Sequence, residues 1–199
     1  MLAQLRDNEN AARRYFLKLR WPNYQRACPR CGSREFSWVR AHTRRACTRC
    51  RFEYGEFTWT WIGASRLPFA CWVKVVDGFV RGLTTSGIHI KDGLRQPTVW
   101  NCMRTIRLAI EAGARRPITL DEIKSLEAGD QAERSKYAEF RGSLTRHHGV
   151  KEAEWPHYYH EFEFKKRTGK ADMFEEVVKL LVRPKGRILG EGRLETDEG

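Results

Sequence analysis

Hydrophobic positions recur along this chain with two different periods, and the changes between them divide it. Ala12, Tyr15, Phe16 and Leu19 lie three and four residues apart and predict a helix from Asp7 to Arg20, capped by Asp7 or Asn8 and ended by Trp21-Pro22. Between residues 23 and 64 the period falls to two: Phe36-Ser37-Trp38-Val39-Arg40 and Phe57-Thr58-Trp59-Thr60-Trp61 predict short strands. From residue 65 the helical spacing returns. Trp72, Val75, Val76, Phe79, Val80 and Leu83 follow Leu67-Pro68, and Gly82 with Thr84-Thr85-Ser86 interrupts them. A short helix is expected from Ser86 to Leu94, then a turn at Gln96-Pro97, then a third helix from Thr98 to about Ala112. Val99, Met103, Ile106 and Ile110 define the buried face of that third helix, so Asn101, Arg104 and Thr105 point away from it.

Beyond residue 112 the pattern is plainer. Thr119 followed by Glu122 is a capping-box start, and Met173, Val177, Val178, Leu180, Leu181 and Val182 predict one more amphipathic helix. Trp155, Tyr158, Tyr159, Phe162 and Phe164 form an aromatic stretch near His147, His148, His157 and His160, whose spacing follows no ligand template and reads as packing and surface. The chain is expected to be α+β and mostly helical. Its parts are an N-terminal helix (1–22), a small strand-bearing module (23–64), a three-helix segment (65–116), a helical C-terminal region (117–183) and a Gly- and charge-rich tail (184–199) that should be loosely ordered.

The strand-bearing module carries the clearest chemistry. Cys28-Pro-Arg-Cys31 and Cys47-Thr-Arg-Cys50 are separated by fifteen residues, the spacing of a four-cysteine zinc site. Each pair forms a tight turn that aims two sulfurs at one point, and Gly32 stands where a positive φ is often needed. Four thiolates leave no open coordination position, so one structural zinc ion is expected, with His42 superfluous as a ligand. Cys71 and Cys102 fall singly in helical patterns and read as small core residues.

Charge adds a partner. The formal net charge is +12, and it is unevenly placed: residues 1–120 carry 22 Lys and Arg against 8 Asp and Glu, residues 121–199 carry 15 against 17. Eight Arg and one acid lie between Arg26 and Arg51. That asymmetry fits a polyanion. Arg40, Arg44, Arg45 and Arg49 are the candidate phosphate contacts of the ribbon. The three-helix segment has the proportions of a helix-turn-helix, whose third helix enters the major groove of double-stranded DNA. Thr98, Asn101, Arg104 and Thr105 would face the bases, with Lys91, Arg95 and Arg107 on the flanking phosphates. No apolar run reaches the roughly 18 residues of a membrane span, and Met1 to Asn10 has no signal-peptide core. A cytoplasmic protein with no membrane partner is expected.

Trp21-Pro22, Cys28-Pro-Arg-Cys31-Gly32-Ser33, Cys47-Thr-Arg-Cys50, Ser65-Arg66-Leu67-Pro68, Trp72 and Trp100 through Ile106-Arg107 together resemble the N-terminal part of bacterial insertion-sequence transposases of family fifteen-ninety-five. The resemblance covers roughly residues 5–112. It implies a four-cysteine zinc ribbon and a helix-turn-helix ahead of a DDE recombinase domain. A second stretch, from Ser143-Leu144-Thr145-Arg146-His147-His148 through Trp155-Pro156-His157 to Leu180-Leu181, is similar to the C-terminal end of that family, where it follows the catalytic Glu. Glu133, or else Glu139, is the match to that residue. The two parts are separated here by only about twenty residues, Gly113 to Ala132, where the family places its first two catalytic Asp on neighbouring strands. Asp121 and Asp130 lie in the gap, but the middle of the recombinase domain is missing and no catalytic residue is assigned.

The expected function is therefore zinc-dependent, sequence-preferring binding of double-stranded DNA by a catalytically inactive, transposase-derived regulator or targeting factor. Two other classes stay open: a shortened transposase acting in transposition with a full-length partner, and a zinc-ribbon interaction module in a larger complex. A second copy of the chain or another protein would be the further partner.

Overall fold

The computed structural model describes residues 2–23, 25–39, 44–147 and 149–185, together with the backbone of residues 188–189 and 193–194. Arg40, His42, His148 and most of the tail from residue 190 lie outside the described residues. The fold is α+β and mostly helical, with one three-stranded sheet near the N-terminus. It divides into two compact units, Met1–Val73 with Val178–Gly199, and Lys74–Val177.

The first unit opens with α1 (Leu2–Asp7) and α2 (Glu9–Arg20). Asn8 is the N-cap of α2, its side-chain oxygen accepting from the Ala11 N–H at 2.9 Å. Ala12 and Phe16 are fully buried, as their spacing implied. Phe16 meets the edge of Phe69 at 5.3 Å between centroids, and Phe69 meets Phe57 at 4.9 Å. Glu9 accepts from the N–H groups of Phe69 and Ala70 at 3.0 and 2.9 Å, so an acid from α2 caps the first turn of α3 (Phe69–Val80). Strands β1 (Phe36–Val39), β2 (Arg44–Cys47) and β3 (Glu53–Tyr54) pair antiparallel in sequence order, with Phe36 opposite Cys47 and Trp38 opposite Arg45.

The expected strand at 57–61 does not form. Residues 56–64 fold as consecutive turns, and only Thr60 makes a bridge, to Pro184. The cause is local. Thr58 Oγ1 accepts from the Gly55 N–H at 2.8 Å, and Thr60 Oγ1 donates to the Phe57 carbonyl at 2.7 Å. These side chains offer the backbone a turn in place of a ladder, and Trp59 takes a φ of 58° that no strand allows. The Arg20 guanidinium then fastens this turn run to the rest of the unit. It donates to the carbonyls of Glu56, Thr58 and Val182, and burial lowers its pKa to about 10.

In the second unit α3 continues into α4 (Thr85–Asp92) and α5 (Gln96–Ala112). Thr84 caps α4 by accepting from the Gly87 N–H at 3.1 Å, and Gly93 ends it at φ 66°. Gly78 lets α3 and α4 close: an added Cβ there would stand 2.4 Å from Ile88 Cγ1. Val99, Met103, Ile106 and Ile110 are all buried. Next come α6 (Leu120–Ser125) and α7 (Gln131–Leu144), then a short 3-10 turn (Glu152–Glu154), α8 (Trp155–Arg167) and α9 (Lys170–Val182). Ile123, Phe140, Leu144, Trp155 and Tyr159 form a second core where α6, α7 and α8 meet. Packed between α5 and α8, Arg107 donates to Glu161 at 2.6 Å, and Lys165 also donates to Glu161. Burial alone would raise the Glu161 carboxyl, but the charges of Lys165 and Arg107 outweigh it and hold its pKa at about 2.

Three outcomes follow. Gly63→Ala places a Cβ 2.0 Å from the Phe57 carbonyl oxygen and is expected to destabilise by about 1–3 kcal/mol, measured by denaturant unfolding. Glu161 is depressed in the folded state, so its contribution is complete above the ordinary carboxylate value and fades as the pH falls toward 2. Stability measured across that window should drop more steeply in the native chain than in Glu161→Gln. At neutral pH Glu161→Ala, which strands Arg107, should cost about 3–5 kcal/mol.

Candidate metal centre and nucleic-acid face

The two cysteine turns are built alike. In the first, the Gly32 N–H donates to the Cys28 carbonyl at 2.8 Å and the Cys28 N–H to the Ser33 carbonyl at 2.7 Å. In the second, the Arg51 N–H donates to the Cys47 carbonyl at 2.9 Å and the Cys47 N–H to the Phe52 carbonyl at 3.0 Å. Both need a left-handed residue directly after the last cysteine. Gly32 supplies φ 72° freely, while Arg51 takes φ 59° with a Cβ. β2 delivers Cys47 into the second turn, and Phe52 and Tyr54 pack against the sulfurs.

The ligand atoms of Cys28, Cys31, Cys47 and Cys50 all lie within 4.8 Å of one another, with Cys28 Sγ 3.6 Å from Cys50 Sγ and Cys31 Sγ 3.5 Å from Cys47 Sγ. A tetrahedron with zinc–sulfur bonds of about 2.3 Å has edges of about 3.8 Å, so the donor set fits zinc in both chemistry and size. Burial drives the Cys28 thiol up to about 12. A thiolate in that position is stabilised by a dication, which is what a closed four-sulfur site provides. Among the described residues, no other cluster of three or more His, Cys, Asp or Glu side chains converges in this way.

Residues 7–53 match the family model of the transposase zinc-ribbon domain. This part of the chain is similar to that domain, and it holds one structural zinc ion. No curated protein and no solved structure matches the chain. Among the described residues, no helix is long and apolar enough to cross a membrane.

The basic residues expected to meet phosphates separate into two groups. Arg44 and Arg49 are exposed on the ribbon. Arg45 is not: it is 4% exposed, donates to Glu56 at 2.7 Å and lies over the rings of Trp38 and Phe36. It works as an internal strut, and its place on β2 beside Tyr54 explains why. Arg107 is corrected likewise, being 6% exposed and bound to Glu161 beneath the Tyr158 ring. Arg40 falls outside the described residues. On α4 and α5, Lys91, Arg95, Asn101 and Arg104 are exposed, while Thr98 and Thr105 are half-buried, with the Thr105 hydroxyl donating to the Asn101 carbonyl at 2.9 Å.

Sequence reasoning missed the surroundings of the α5 start. Trp100 is 52% exposed, and Gln96 donates to Ser86 Oγ at 3.1 Å, tying the first turns of α4 and α5 together. Arg146 and Lys151, from the chain joining α7 to α8, line the same cleft as Asn101. Their only signal in the sequence was a basic residue on each side of His147-His148-Gly149-Val150.

The centre yields two expected outcomes. Purified protein should contain one zinc per chain by atomic absorption, and a strong chelator should abolish the near-ultraviolet signal of the ribbon aromatics while the far-ultraviolet helical signal persists. Arg51→Gly should be neutral or stabilising by up to about 1 kcal/mol because it relieves a left-handed Cβ.

Proposed function

We propose that the chain is a transposase-derived, zinc-dependent protein that binds double-stranded DNA with sequence preference and serves as a regulatory or targeting factor without catalysing strand transfer. The observation that carries this reading is α5. Its apolar stripe is fully engaged in the core, while Asn101 and Arg104 are exposed on the opposite side beside Thr105. α3, α4 and α5 then act as a helix-turn-helix, with Asn101 suited to adenine and Arg104 to guanine. Arg95 and Lys91 flank the reading helix, and Arg44 and Arg49 give the ribbon a positive face for phosphates.

Both candidates for the catalytic Glu are engaged elsewhere, which supports the inactive reading: Glu139 pairs with Lys166 at 2.7 Å, and Glu133 serves a helix start. Glu133 accepts from the Asp130 N–H at 3.0 Å while Asp130 accepts from the Glu133 N–H at 2.9 Å. The pair is a capping box at the start of α7, a structural task that holds the carboxylate at its own helix end.

The test is selection from a random duplex pool with the zinc-loaded protein at two salt concentrations. A motif that persists at the higher salt is expected, with Asn101→Ala and Arg104→Ala each losing about 1–3 kcal/mol of discrimination at one position. Arg44→Ala and Arg49→Ala should weaken all sequences alike. Binding without any motif would overturn sequence reading and favour an interaction module. Metal-dependent strand cleavage abolished by Glu133→Ala would favour a shortened transposase instead.

A further inference from the structure

A cleft of about 1140 Å³ opens within the second unit, between the starts of α4 and α5 and the chain that joins α7 to α8. Ser86, Trp100 and Asn101 line it from the first side, and Arg146, Lys151 and Glu154 from the second. It exceeds the roughly 300–1,000 Å³ of a small-molecule pocket, and it is partly open to solvent.

Several basic groups of the same unit are already paired: Arg116 with Glu122, Lys124 with Glu152, Lys136 with Glu163, Lys165 with Glu161 and Lys166 with Glu139. Arg146 and Lys151 are exposed, and neither makes an ion pair or hydrogen bond among the described residues. They stand across from a half-exposed indole and from Asn101. Exposed cations opposite an open aromatic ring and a hydrogen-bonding amide are elements with which proteins hold a nucleic-acid strand.

We propose that this cleft holds the sugar–phosphate backbone of one DNA strand, with Arg146 and Lys151 on its phosphates and Trp100 against the sugar and base edge beside Asn101. The proposal rests on the duplex-binding reading above and extends it. The C-terminal region becomes part of the DNA-binding surface, closing over the strand next to the bases that α5 meets. Glu154 on the same side repels phosphate and limits the affinity of the clamp.

The experiment compares the zinc-loaded native chain with the double variant Arg146→Ala/Lys151→Ala on the selected duplex, over a salt series and by hydroxyl-radical footprinting. Removing two phosphate contacts should lower the slope of log K against log salt by about two and weaken binding about tenfold or more at low salt. The recovered motif should be unchanged, and backbone protection should disappear from one strand at one edge of the site. Arg167→Ala/Lys170→Ala removes the same charge outside the cleft and should alter the slope far less. Arg146→Lys/Lys151→Arg should retain it, and Glu154→Gln should tighten binding. Matching thermal unfolding of the variants shows that the fold is kept. If the native chain binds the duplex and the cleft variant keeps its slope and footprint, the clamp is wrong and the duplex reading stands. If the native chain protects no duplex at all, both fall.

Discussion

Four sulfurs converging on one point hold the N-terminal module together. β1 and β2 contribute four residues each and β3 two, and the apolar side chains packed on the cysteines are essentially Phe52 and Tyr54. That much buried area does not offset the ordering of some thirty residues of ribbon. Zinc does, because the free energy of binding a dication to four thiolates is folding free energy for a site that does not exist in the open chain. Everything displayed on the ribbon depends on it, including the exposed Arg44 and Arg49 and the register that sets Trp38 across from Arg45.

Elsewhere the chain uses arginine in the role that large apolar residues play in bigger domains. Arg20 joins three carbonyls from two distant stretches of chain, Arg45 joins β2 to Glu56 across two aromatic rings, and Arg107 joins α5 to α8 through Glu161. A planar guanidinium presents five donors in a fixed fork, so it can meet several acceptors from different stretches of chain, where lysine offers three donors from a single nitrogen. A positive total charge is therefore a poor guide to the surface. Part of it is internal, and the part left for a polyanion is smaller and better localised than the composition implies.

The sequence shows which of these expectations were accessible. The cysteine spacing alone locates the metal site, because ligand chemistry imposes the turn geometry. The α5 stripe was equally legible: Val99, Met103, Ile106 and Ile110 fall on one face by spacing and are buried together. Arg107 sits on the shoulder of that stripe, where burial depends on a partner 54 residues away, and no local pattern encodes such a partner. The error at 57–61 has a different origin. Alternating Phe and Trp satisfy a strand template, but the intervening Thr58 and Thr60 side chains bond to their own backbone, and Gly63 admits a carbonyl that any Cβ would exclude. Pattern counts side chains by polarity, whereas the fold responded to where their hydroxyls reach.

The same local competition bears on the segment from residue 113 to residue 133, which leads through α6 into α7. Three of its five acids serve helix starts: Glu122, Asp130 and Glu133. Glu122 accepts from the Thr119 N–H at 2.8 Å and from Arg116, and Asp130 and Glu133 cap one another. Each box fixes a first helical turn and directs its carboxylates back along the chain. A two-metal site needs carboxylates brought together from separate strands of a sheet. Recruiting Glu122, Asp130 or Glu133 to such a site would open a box and leave first-turn N–H groups of α6 or α7 without their acceptors. The physical chemistry of the linker thus favours helix ends over metal ligands. That preference holds Glu122, Asp130 and Glu133 at their own helix ends.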